Sequence, residues 1–191
     1  MVSIHKYRPF YQSDNGETYY GEWIAFLTGD ANVFFEPETH TKEASEITEA
    51  SAQLAGVWIE GTEDTEEKGF EYWTVSKANT RAAGSDAKTV TVSGNQTTIT
   101  IDDLVAGKEY GYRTYVKTAS GTTYGEEKTF KTILMGDAND DGEVNSADVD
   151  AVASHIMGLS PNGFSKKNAD VNNDNTVNAA DIVIINKKIK K

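Results

Sequence analysis

Along residues 37–132, apolar and polar side chains alternate in short runs broken by Gly, Asp and Thr, the pattern of short antiparallel strands. Ala52, Leu54, Gly56 and Trp58 share one phase. Phe70 and Tyr72 form a second such run, and Tyr110, Tyr112, Thr114 and Val116 a third, so these are the expected inward faces. The opposite phase holds Trp73 and Tyr115, which are expected to be exposed, as are Tyr19, Tyr20 and Trp23 near the N-terminus. Past residue 133 the period changes: Val149, Val152 and Ile156 fall on one helical face. The apolar set Val144, Val149, Val152 and Ile156 recurs 33 residues later as Val177, Ile182, Ile185 and Ile189. The first helix is expected to stop at Gly158, a left-handed residue after its last turn, with Pro161 just beyond.

The same offset superimposes two Asp/Asn-rich runs, 136–148 and 169–181. In a twelve-residue loop count, oxygen side chains fall at positions 1, 3, 5, 9 and 12: Asp137, Asn139, Asp141, Asn145 and Asp148, then Asp170, Asn172, Asp174, Asn178 and Asp181. Position 7 would offer a backbone carbonyl, from Glu143 and Thr176. A hard cation such as Ca²⁺ takes six to eight oxygens, and a loop with alternate ligands wraps one ion in that way. Two loops imply two Ca²⁺ ions. Position 12 opens a helix, where negative charge is also favoured by the helix dipole. Ordinary EF-hands have an entering helix and a Glu at position 12; here Asp closes each loop, and only Ile133–Gly136 separate loop one from a strand ending near Thr132.

A loop and an exiting helix, twice, with Asp at position 12, resembles a type I dockerin over about residues 134–191. The resemblance implies docking onto a cohesin domain or other cell-surface protein. It implies partner-facing positions at Ser146, Ala147 and Ser154 in the first copy, and at Ala179, Ala180, Asn186 and Lys187 in the second. The two faces differ, so a single productive docking orientation is expected. Asn175 stands where the loop usually has Gly, as Gly142 is in loop one, so residue 175 is expected at positive φ with a site that still binds. The stretches EITEASAQLAGVWIEG, KGFEYW, TTITIDDLVAGKEYGYRTYV and TYGEEKTFKT together resemble a fibronectin type III domain. That resemblance makes Tyr110 the tyrosine corner, its hydroxyl tied back to the preceding loop, although Ala106 replaces the usual Pro.

A second repeat joins the N-terminus to the end of the β region. Tyr7–Arg8–Pro9–Phe10 matches Tyr112–Arg113–Thr114–Tyr115, and Gly16, Gly21, Glu22, Phe26 and Thr28 match Gly121, Gly125, Glu126, Phe130 and Thr132, with one extra Tyr in the first copy. The expected organisation is therefore multi-domain β + α. Residues 1–30 are a terminal hairpin of a preceding fibronectin type III-like domain, 31–133 a fibronectin type III (Ig-like) β-sandwich, and 134–191 a small α-helical dockerin with two EF-hand-like calcium loops. A lone hairpin is marginal in water, so this one must pack, pair or move.

Composition narrows the function. The net charge is −12; residues 133–191 hold nine acidic against six basic side chains, so residues 1–132 carry −9. Nucleic acid and anionic membrane are not expected partners. No run is long and apolar enough for direct membrane insertion, and the start lacks the apolar core of a signal peptide. The dockerin resemblance implies an extracellular or bacterial cell-surface location, so an upstream signal peptide missing from this chain is expected and Met1 is not expected to be the natural start. There are no cysteines, and bound calcium can take the stabilising role of disulfides. His5, His40 and His155 are scattered, with His40 in an interdomain stretch and His155 late on a helix, and no catalytic motif is present, so no catalytic residue and no enzyme activity is expected. Exposed aromatics could stack on sugar rings, which keeps a polysaccharide partner open. A calcium-stabilised end of a surface adhesin with no cohesin partner is the alternative to a cohesin anchor.

Overall fold

The computed structural model describes residues 3–13, 16–28, 34–75 and 87–190. Near the N-terminus, β1 (Ser3–Tyr7), β2 (Phe10–Gln12), β3 (Thr18–Tyr20) and β4 (Ile24–Thr28) form a bent hairpin in which β1 pairs with β4 and β2 with β3, both antiparallel. The extra residue of this copy lies in the turn rather than among the tyrosines. Ser13 N donates to Glu17 O (2.9 Å) across a widened loop, and Tyr11 and Tyr19 stay in register.

The central region comprises β5 (Glu38–Thr41), β6 (Ala52–Ile59), β7 (Glu67–Thr74), β8 (Lys88–Thr91), β9 (Thr98–Ile101), β10 (Glu109–Thr118), β11 (Gly121–Tyr124) and β12 (Lys128–Lys131). One sheet runs β5-β6-β9; the other runs β11-β10-β7-β8, with β12 also on β10. Both are antiparallel, and this order is that of a fibronectin type III sandwich. The predicted alternation holds: Ala52, Leu54, Phe70, Tyr110 and Tyr112 meet Val92, Ile101, Leu104 and Phe130 in one core. Phe130 stacks on Tyr110 and meets Tyr112 edge-on. Val105 N donates to the Tyr110 hydroxyl (2.9 Å), the tyrosine corner that the resemblance implied.

Three expectations fail here, each for a local reason. Trp73 and Tyr115 are buried although their phase points away from the core. Trp73 lies flat over Gly111, whose missing side chain makes the room: a Cβ there would come within 2.5 Å of the indole. The Tyr115 hydroxyl donates to Glu67, and burial with that bond pushes its ionisation well above the ordinary tyrosine value. His40 is not in a linker but in β5, where Thr39 and Thr41 turn inward and Thr41 Oγ1 meets Thr114 Oγ1 at 3.2 Å. All three imidazoles have structural contacts: His40 faces Glu126, His155 stacks on Phe164, and His5 stacks on Phe26.

The last strand leads into the helical region within a few residues. Ile133 N donates to Thr48 O and Met135 N to Glu49, so the connection is tied to the sandwich along its length. Beyond it lie α1 (Ser146–Ile156), α2 (Lys166–Ala169) and α3 (Ala179–Ile189). α1 and α3 pack on each other around Val152 and Ile185, with Ala138, Ala151 and Ala169 completing a small separate core. Gly158 follows α1 at φ +79°, the left-handed stop predicted for it. Among the described residues, no helix is long and apolar enough to cross a membrane.

Candidate metal centre

Each loop is organised by its first and last aspartates acting on backbone N–H groups. Asp137 accepts from Asp141 N and Gly142 N, both at 3.0 Å, and Asp148 accepts from Asn139 N (3.1 Å) and Asn145 N (2.8 Å). The second loop repeats this bond for bond. Asp170 accepts from Asp174 N (3.1 Å) and Asn175 N (2.8 Å), and Asp181 from Asn172 N (3.4 Å) and Asn178 N (2.9 Å). Asn139 and Asp141 are bonded side chain to side chain, as are Asn172 and Asp174, both at 2.8 Å. Such a lattice curls each run around its own oxygens.

Backbone conformation repeats as well. Asp140 and Asn173 both sit at φ +57°, and Gly142 and Asn175 at +94° and +66°. Asn175 thus adopts the left-handed turn predicted for it, which an L residue other than Gly does at a cost. Asn145 and Asn178 cap α1 and α3, accepting from Ala147 N and Ala180 N at 2.8 Å, and Asp148 and Asp181 complete the capping boxes. Position 9 therefore supports the helix start. The Thr176 carbonyl accepts from Asn178 Nδ2 at 3.3 Å.

The donor set tests the fit of a cation. Asp137, Asp148 and Asp181 are fully buried, and burial pushes the Asp137 carboxyl above its ordinary range, against the N–H groups of Gly142 and Asp141 that hold it down. The neighbouring charge of Asp148 raises it further, while Lys131 lowers it. Buried carboxylates facing one another are costly unless a positive charge joins them. Among the described residues, no three His, Cys, Asp or Glu side chains form a metal cage by themselves. The chemistry fits a hard cation only with the Asn amide and main-chain oxygens included.

Of the predicted partner-facing positions, Ser146, Ala147, Ala179, Ala180 and Lys187 are exposed, and Ser154 and Asn186 are half-buried. Sequence reasoning missed Val183, which is 52% exposed between Ala179 and Lys187 and gives the α3 face an apolar centre where α1 carries Asp150. Its signal was available: a fourth apolar residue in the run Ile182–Ile185 exceeds one helical face. Also missed was α2, a single turn started by Ser165, whose hydroxyl accepts from Asn168 N. Asn168 is buried and donates to the Asp137 carbonyl at 3.1 Å, joining the entry of loop two to the start of loop one.

Residues 135–190 match the model of the dockerin type I domain. No curated protein matches the chain in sequence. Among solved structures, the sensor domain of the anti-sigma factor RsgI4 in Pseudobacteroides cellulosolvens is 23% identical, with 53% of this chain and 98% of that one covered and a TM-score of 0.40. The FN3 domain of human collagen XX is 15% identical, with 55% and 100% covered and a TM-score of 0.39. Type I dockerins are calcium-binding, cohesin-binding modules of extracellular or cell-surface proteins, and neither they nor FN3-like domains are catalytic.

Proposed function

Taking the chain as a fibronectin type III-like β-sandwich followed by a type I dockerin, we propose that it is a non-catalytic attachment module, in which the dockerin anchors a secreted protein to a cohesin and the sandwich is the spacer. The division follows the sequence: a hairpin in 1–30 left from a preceding fibronectin-like domain, a sandwich in 31–133 and a dockerin in 134–191. The boundary at 30/31 lies outside the described residues.

Two Ca²⁺ ions would be held, one by Asp137, Asn139, Asp141, Asn145 and Asp148 with the Glu143 carbonyl, the other by Asp170, Asn172, Asp174, Asn178 and Asp181 with the Thr176 carbonyl. When bound, calcium supplies positive charge between carboxylates that otherwise repel. The chain's own part is to fix the loop curvature through the Asp–amide bonds and to start α1 and α3 from the same residues, so that folding and metal binding become one equilibrium. The observation that carries the reading is the bond-for-bond duplication of the two loops.

Docking would use Ser146, Ala147 and Ser154, or Ala179, Ala180, Asn186 and Lys187. Small residues at an interface centre with polar neighbours suit a buried patch, and the contrast between Asp150 and Val183 favours one orientation. Calorimetric titration of the full chain is expected to give two calcium ions, with Asp148→Ala and Asp181→Ala each leaving one. Capture on an immobilised type I cohesin is expected in calcium and lost in chelator. Fewer than two ions would remove the two-site assignment. Calcium binding without capture would instead leave a calcium-stabilised end of a surface protein that has another partner.

A further inference from the structure

The two loops are copied bond for bond, but the charge around them is not. Loop one, residues 137–148, holds five carboxylates: Asp137, Asp140, Asp141, Glu143 and Asp148. Loop two, residues 170–181, holds three: Asp170, Asp174 and Asp181. Neither has a basic residue. Of the two extra acids, Glu143 stands at position 7, where the ligand is the main-chain carbonyl. Asp140 stands at position 4, which supplies no ligand, and its counterpart in loop two is the neutral Asn173. Both backbones sit at φ +57°, so the exchange alters charge without altering the turn.

Asp140 is answered from outside its loop. Lys131, the last residue of β12, places Nζ 2.6 Å from Asp140 Oδ1, with the two side chains 36% and 42% exposed. The lysine has another carboxylate at hand, since Glu109 faces it across the β10–β12 register and such neighbours share one face of a sheet. Among the described residues Glu109 forms no ion pair, and Lys131 crosses to the loop instead. The backbone holds this approach in place. Gly107 N donates to Ile133 O (3.2 Å), and Leu134 lies over Gly107, 3.1 Å from where a side chain would begin. The charge of Lys131 also reaches Asp137, the first ligand position. Loop two has no counterpart of the pair. The residue 33 places after Lys131 is Phe164, which stacks on His155. Lys166 and Lys167 precede loop two but form no ion pair with it among the described residues, and Lys167 Nζ donates to Ile47 O on the sandwich (2.8 Å).

We propose that Lys131 is an affinity-setting residue of the loop-one calcium site: by neutralising Asp140 it lowers the pull of loop one on the ion toward that of loop two. The proposal rests on the calcium reading above. Lys131 lies outside residues 135–190, the stretch that matches the dockerin domain, so the charge of loop one is adjusted by a residue of the sandwich. Both partners are partly exposed, so their effect on a divalent ion is modest and falls with the Debye length, about 30 Å at about 0.01 M salt and about 3 Å at about 1 M.

The test is calorimetric calcium titration of the full chain carrying Asp181→Ala, so that loop one alone fills. At about 0.01 M salt, Lys131→Met is expected to tighten binding about three-fold and Asp140→Asn to weaken it about three-fold, with the double variant close to the parent. Lys131→Arg keeps the charge and is expected to keep the parent affinity. At about 1 M salt all of these chains are expected to bind alike. In a chain carrying Asp148→Ala, which reports loop two, Lys131→Met is expected to change nothing. Calcium binding to loop one that is indifferent to Lys131→Met, weakened by it, or changed equally at both salt concentrations would overturn the proposal and leave the calcium reading standing. Absence of calcium heat from every chain would overturn both.

Discussion

Single positions in this protein carry conformations that their neighbours dictate. Asn175 holds φ +66° where its counterpart Gly142 holds +94°. Replacing it with Gly removes the left-handed cost and is expected to stabilise the helical region by about 0.5–1 kcal/mol in urea unfolding. Tyr112 is fully buried with its hydroxyl donating to the Lys42 carbonyl, and burial, aided by the charge of Glu43, pushes its ionisation up to about 12. A group raised in this way contributes stability that is complete below its unfolded value near 10 and is lost as pH rises toward the folded value. Tyrosinate absorbance is therefore expected to lag behind that of a free tyrosine until the sandwich unfolds in base. At this scale the sequence was legible where a residue's own chemistry decides, as for the loop aspartates, Asn175 and Tyr110. It was not legible where a residue across the sheet decides: the burial of Trp73 depends on Gly111, 38 residues away.

Elements show the same division. Strands and the two long helices follow from the alternation and the 33-residue repeat, because each has an apolar face long enough to register as a period. The single turn of α2 has no such face; only its Ser165 cap and the buried Asn168 identify it. β5 was misread around His40 because its inward residues, Thr39 and Thr41, are polar and find hydroxyl and carbonyl partners inside. Two substitutions probe these contacts. Gly111→Ala drives a methyl into the Trp73 indole and is expected to cost the sandwich about 1–3 kcal/mol in thermal unfolding. Ile185→Ala empties the fully buried contact between α1 and α3 and is expected to cost about 2–5 kcal/mol in the helical region alone.

At the scale of the whole molecule, the described residues hold two separate cores, one between the sheets and one between α1 and α3, joined through the stretch after β12. Under the proposed calcium reading only the second core answers to metal. Calorimetry is expected to resolve two transitions, with chelator lowering the helical one and leaving the sandwich in place. Calcium at a hundred times its dissociation constant would add about 2.7 kcal/mol per site to the helical unit. A single transition moved as a whole by chelator would mean that the junction couples the two cores.

That junction has a mechanical side. The chain passes from Lys131 at the end of β12 to Asp137 at the start of loop one in six residues, and Lys131 also grips Asp140 inside the loop at 2.6 Å. Tension drawn through the sandwich therefore enters the helical region at the curl of carboxylates and amides, before it reaches α1 or the small core behind it. With calcium in loop one as proposed, the force at which the helical region opens under such tension is expected to follow the ion content of that loop more closely than the packing of the helices.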